Sequence, residues 1–138
     1  MTVATEVPVL LNEDDITHLR DNLGFDVPIE LPKDARYPVI TGHIDILQIR
    51  NGAIHILDYK PNAKKEKPIE QLVIYALALS RLTGIKLFYF KCGWFDEKNY
   101  FEFFPLHVVF KKGKTKSTNI PDEGQEELTF NEEKTKIE

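Results

Sequence analysis

The dipeptide Asn51-Gly52 lies between two runs rich in Ile, Val and Leu, Val39 to Arg50 and Ala53 to Lys60. Both central residues of a type I′ turn need positive φ, which Asn and Gly tolerate. The arrangement therefore predicts a two-residue hairpin whose arms are antiparallel neighbours. Such a turn also sets the register: Arg50 faces Ala53, and each further cross-strand pair has positions summing to 103. Asp45 then falls opposite Asp58, and His43 opposite Lys60.

Directly opposed side chains on one sheet face have β-carbons about 5 Å apart, and like charges there are destabilising. Side chains alternate along a strand, so Asp58 and Lys60 share a face while Tyr59 points to the other. The register gathers Asp45, Asp58 and Lys60 into one patch, with His43 as a further candidate. Two carboxylates at the end of Ile-rich strands are costly unless positive charge sits between them, and one lysine offsets two acids only in part. A hard divalent cation resolves the conflict, and oxygen ligands of this kind suit Mg²⁺ or Mn²⁺.

Around this hairpin the chain punctuates itself. Asn12 is placed to cap a helix from Glu13 to Leu23, with acids in its first turn, Gly24 after its end, and Ile16, Leu19 and Leu23 as its buried stripe. Pro68 suits a first helical position, Ile69 to Thr83 reads as a mostly buried helix, and Gly84 ends it. Lys86 to Phe95 and Tyr100 to Phe110 are aromatic-rich strands joined by Asp96-Glu97-Lys98-Asn99, and Pro105 makes the last one an edge or bends it. The order helix, strand, strand, helix, strand, strand predicts an α/β fold in which helices flank a mixed central sheet.

The 138 residues fit one domain, placed at residues 1–110, followed by a charged, flexible tail at 111–138. Charge is uneven along the chain: residues 121–138 carry seven acids and two lysines, so the net charge of −4 leaves residues 1–120 at +1. No apolar run approaches the roughly 20 residues of a membrane span, and the N-terminus lacks a secretory pattern, so a cytoplasmic, membrane-free protein is expected. Cys92 is the one cysteine, expected as a small buried residue, and it excludes an internal disulfide and a cysteine-ligated iron–sulfur cluster within one chain.

An Asp-x-Lys tripeptide means little alone: with 9 Asp and 14 Lys among 138 residues, about one arises by chance. Asp96-Glu97-Lys98 is such a match, set aside because it falls in a turn with no carboxylate in register. What distinguishes Asp58-Tyr59-Lys60 is the apolar strand before it, the Asn-Gly turn and the registered Asp45.

Three ordered motifs carry a resemblance: Gly42-His43-Ile44-Asp45, then Ile56-Leu57-Asp58-Tyr59-Lys60, then Gln71-Leu72-Val73-Ile74-Tyr75-Ala76. Over about residues 40 to 95 the chain resembles the RecB-like branch of the PD-(D/E)XK nuclease superfamily. The resemblance implies that Asp45 and Asp58 bind the metal, with the Tyr59 carbonyl as a further ligand, and that Lys60 orients or polarises the attacking water. It makes Gln71 and Tyr75 supporting residues on one helix face; the alternative is a polar residue and an aromatic on a buried helix. The first motif departs from the pattern, and His18, Glu13 and Glu30 compete for the ligand that the opening helix often supplies. His18 lies roughly 140° from the stripe and reads as solvent-facing.

The implied function is a Mg²⁺- or Mn²⁺-dependent DNA nuclease, exonuclease or endonuclease. Lys64, Lys65 and Lys67, and beyond them Lys111, Lys112, Lys114 and Lys116, are candidates for holding the DNA backbone, against the alternative of solvated loops. A homodimer or a separate partner would supply substrate selection in so short a chain. Two rival readings remain: an inactive nuclease-like fold that binds DNA or protein, and an interaction module using exposed aromatics near Trp94 and Phe95.

Overall fold

The computed structural model describes residues 2–110. In chain order these form β1 (Thr2–Asn12), α1 (Glu13–Thr17) running into a π-helical turn (His18–Asn22), β2 (Val39–Arg50), β3 (Ala53–Tyr59), α2 (Ile69–Thr83), a 3₁₀ turn (Leu87–Tyr89), β4 (Phe90–Phe95), β5 (Tyr100–Phe103) and α3 (Pro105–Val109). Asn51 and Gly52 take φ of 52° and 75°. β2 and β3 pair from Arg50 with Ala53 to Ile46 with Leu57, the register that the turn dictates.

The sheet runs β1-β2-β3-β4-β5. β3 and β4 are parallel and the other neighbours antiparallel, so the sheet is mixed. A parallel pair needs a crossover, and α2 supplies it. Its Leu72, Val73, Ala76 and Leu77 are fully buried and join Ile44, Ile56, Phe90 and Cys92 in one core. Burial pushes the Cys92 thiol far above its ordinary range, which leaves it a small apolar filler.

α1 begins as its sequence requires. The Asn12 side chain accepts the Asp15 N–H at 2.8 Å, and Asp15 accepts the Asn12 N–H at 2.9 Å, a reciprocal capping box. Ile16 and Leu19 are buried, but Leu23 is 46% exposed. The helix widens over its last turn, where the Leu23 N–H bonds five residues back to His18 O at 3.2 Å. A π turn rotates later side chains off an α-helical stripe, so Leu23 leaves the core. Gly24 follows the turn with φ of 72°.

Three further expectations need correction. β1 is an edge strand that the sequence reading does not contain; Pro8, and Glu6 at φ of 54°, interrupt its alternation, yet Val9 and Leu11 are buried. The last strand is an edge, one of the two outcomes expected from Pro105, but it stops at Phe103 short of Phe110, because Pro105 starts a helix instead of bending the strand. The strand expected from Lys86 begins at Phe90, after the 3₁₀ turn. Pro68 caps α2 from one position outside it, whereas Ile69 to Thr83 is helical as predicted and Gly84 ends it at φ of 77°. The expected tail at 111–138 lies outside the described residues. No helix among the described residues is long and apolar enough to cross a membrane.

Replacing Asn12 with Ala removes the cap and strands the Asp15 N–H. Urea unfolding should show a loss of about 1 kcal/mol with an unchanged denaturant slope.

Candidate functional site

The ladder between β2 and β3 ends at Ile46 and Leu57. Beyond it the arms part, because β3 follows β4: the Lys60 N–H bonds to Phe95 O at 2.9 Å. The Tyr59 N–H turns to the Asp45 side chain and donates to Oδ2 at 3.2 Å. Asp45 and Asp58 thus come together where the two strands diverge.

Asp58 is buried at 6% exposure, and its Oδ2 accepts no hydrogen bond among the described residues. Lys60 Nζ lies 3.1 Å from that oxygen as an ion pair. Burial raises the Asp58 pKa to about 6, with the adjacent Asp45 carboxyl adding to the effect and Lys60 opposing it. A carboxylate pair with an orphaned, buried oxygen matches the donor set of a hard divalent cation. Asp45 and Asp58 therefore fit a metal.

Among the described residues, no three His, Cys, Asp or Glu form a metal-holding cluster. None of the first-motif candidates His18, Glu13 and Glu30 therefore joins the carboxylate pair. Glu13 lies in the first turn of α1, His18 in the half-buried π turn, and Glu30 is exposed in the irregular segment before β2. That segment is anchored elsewhere, since Arg20 Nη2 donates to Val27 O at 3.1 Å and to Ile29 O at 2.7 Å. His43 does not face Lys60 either. It pairs with Pro8 on the β1 side, because the hairpin arms have already separated.

Gln71 and Tyr75, one turn apart on α2, are joined by a hydrogen bond from Gln71 Nε2 to Tyr75 Oη at 2.8 Å. The Tyr75 ring lies against the backbone of β2 at Gly42, where a Cβ would sit 2.5 Å from a ring carbon. Gly42, which opens the first motif, is the position that admits this ring. A glycine inside an apolar strand signals such a close approach.

Lys64, Lys65 and Lys67 are exposed between β3 and α2, with no ion pair among the described residues. Lys111, Lys112, Lys114 and Lys116 lie outside the described residues. The second Asp-x-Lys is a turn: Asp96 Oδ1 accepts the Lys98 and Asn99 N–H groups at 2.9 and 2.7 Å. Trp94 is no exposed docking aromatic, being buried at 8% exposure and stacked on Phe101 with ring centroids 5.2 Å apart. Phe95 is half-buried against Tyr59.

A mixed sheet with α2 behind a divergent, carboxylate-bearing hairpin is a restriction-endonuclease-like arrangement. Residues 4–134 match the family model of the PD-(D/E)XK nuclease superfamily, and the chain belongs to that superfamily. No curated protein matches the chain. The membership makes it a nuclease-fold protein of a class that commonly hydrolyses nucleic acid with divalent metal.

A raised carboxyl pKa stabilises the metal-free fold fully below the unfolded value near 3.8 and loses that contribution as pH rises through about 6. Asp58→Asn should therefore be nearly neutral at pH 4 and stabilising by about 1–2 kcal/mol at pH 8 in EDTA, measured by urea unfolding. Gly42→Ala should push Tyr75 away from β2 and cost about 1–3 kcal/mol, read by the same method.

Proposed function

We propose that this chain is a metal-dependent deoxyribonuclease of the RecB-like branch, hydrolysing phosphodiester bonds at Asp45, Asp58 and Lys60. The observation that carries the reading is the buried Asp58 Oδ2, beside Asp45 and 3.1 Å from Lys60 Nζ, with no further partner among the described residues. Asp45, Asp58 and the Tyr59 carbonyl would hold Mg²⁺ or Mn²⁺, which when bound lowers the pKa of water and stabilises charge on the phosphate.

The chain's own groups do the rest. Asp58 must be ionised to bind a cation, so metal affinity rises with pH through about 6. Lys60 is half-buried at 26% side-chain exposure, which leaves its ammonium able to hold a water and balance charge developing on the phosphate. Gln71 and Tyr75 form a hydrogen-bonded pair whose ring packs on Gly42, three residues before Asp45. Lys64, Lys65 and Lys67 present charge that is unpaired among the described residues on the loop after the motif, suited to phosphate contacts that position the strand without reading sequence. A second copy or another protein would complete substrate selection.

A second reading, an inactive nuclease-like fold that binds DNA or a partner, draws on one observation: no third acidic or histidine ligand joins the pair among the described residues. Circular plasmid and labelled single- and double-stranded DNA, incubated with Mg²⁺, Mn²⁺ or EDTA, separate the two. Cleavage with metal and none with EDTA supports the nuclease, and nicking of the closed circle marks endonuclease action. Asp45→Ala and Asp58→Ala should each lower cleavage at least about 100-fold while the protein stays folded, and Lys60→Ala should lower kcat far more than metal affinity. Wild-type activity in either aspartate variant would remove the assignment.

A further inference from the structure

The connection from β3 to α2 carries Lys60, Lys64, Lys65 and Lys67. Within it, Asn62 at φ of 68° accepts the Lys65 N–H at 3.0 Å. Its other anchors come from the end of β4 and the turn into β5. The Lys60 N–H goes to Phe95 O at 2.9 Å, Trp94 Nε1 donates to Ala63 O at 3.0 Å, and the Ala63 N–H donates to Asp96 Oδ2 at 2.7 Å. Ala63 itself is fully buried.

Asp96 divides its two oxygens between two tasks. Oδ1 closes its own turn on the Lys98 and Asn99 N–H groups, and Oδ2 reaches across 33 positions of sequence to Ala63. These backbone donors hold the Asp96 carboxyl below its ordinary range. Tyr59 Oη adds a parallel bond to Glu97 Oε2 at 2.7 Å, so the turn grips both ends of the segment that contains Lys60. A lysine on a flexible stem with one ion pair does not hold its own position well. The backbone on either side must do so.

We propose that Asp96 is a positioning residue: by gripping Ala63 it keeps Lys60 beside Asp58 and aims Lys64 and Lys65 at the nucleic acid. This rests on the nuclease reading above. Asp96 touches neither substrate nor metal, and it acts through the loop.

Asp96→Asn separates the two tasks. An amide has one acceptor oxygen, and turning it toward Lys98 and Asn99 keeps two hydrogen bonds where the opposite flip keeps one. The NH₂ group then faces the Ala63 N–H, donor against donor, so the turn survives and the tether is lost. Trp94→Phe deletes the donor to Ala63 O, along with part of the ring stacked on Phe101, and carries the test if Asp96→Asn fails to fold. Hydrogen exchange of the Ala63 amide is measured on metal-free protein, Mg²⁺ affinity by titration, and kcat and KM on labelled DNA. In Asp96→Asn, Ala63 exchange should rise about 10-fold or more. Mg²⁺ Kd should stay within about twofold, because Asp45 and Asp58 are untouched, while kcat falls about 10-fold and KM rises. Trp94→Phe should give the same pattern more weakly. A general loss of stability would not leave metal affinity intact while kcat and KM move. Unchanged Ala63 exchange overturns the tether, and faster exchange with unchanged kcat and KM overturns the positioning role. A wild-type chain that cleaves no DNA with either metal overturns the nuclease reading, and the role with it, whatever the exchange data show.

Discussion

Everything at the site depends on where the hairpin stops being a hairpin. From Arg50 and Ala53 to Ile46 and Leu57 the arms obey the turn, and at the next pair they part. The backbone of Tyr59 and Lys60 is then shared between two neighbours. One N–H goes to the Asp45 carboxylate and the next to Phe95 O on β4. Had the ladder continued, Asp45 and Asp58 would be spaced as an ordinary cross-strand pair, with ladder hydrogen bonds on either side. Divergence instead brings the Asp45 carboxylate to the Tyr59 N–H, with the Lys60 ammonium 3.1 Å from Asp58 Oδ2.

Holding that convergence is costly, and the fold supplies the means. Asp58 loses hydration against the packed end of β3, and among the described residues its Oδ2 has the Lys60 ammonium at 3.1 Å in return. Such a group is tolerated because its surroundings are over-determined. α2 is buried along nearly its whole sheet-facing side, Tyr75 is seated on Gly42, and the loop after Lys60 is anchored by Trp94 and Asp96. Asp58 and Asp96 make the contrast within one chain. Both belong to an Asp-x-Lys tripeptide, but backbone N–H donors satisfy Asp96 and hold its pKa down, whereas burial and a like charge drive that of Asp58 up.

Local signals carried much of this. Asn51-Gly52 determined the register as far as Ile46 and Leu57, one step short of Asp45 and Asp58; the extent of α2 and the capped start of α1 were equally plain, because turn chemistry, capping and apolar periodicity act over a few residues. Signals that conflicted locally were misread. Pro8 and Glu6 mask β1, whose edge position is what makes a proline acceptable there, and Pro105 fits the edge position of β5 yet opens a helix where the sequence predicts more strand. Leu23 follows the helical stripe in sequence, and only the π turn moves it into solvent.

The sequence by itself determined which residues can meet across the hairpin, since a two-residue turn leaves one register, and it determined that a buried carboxylate pair needs positive charge. The tertiary structure alone decided how they meet. That β3 leaves β2 for β4 depends on a parallel pairing that α2 creates from distant residues, and the β2–β3 ladder therefore ends before His43 and Lys60 can pair. That none of His18, Glu13 and Glu30 joins the pair depends on where the first helix and the segment after it pack. The grip of Asp96 on Ala63 spans 33 positions, and no local pattern encodes a hydrogen bond between a turn and a loop that only the sheet brings together.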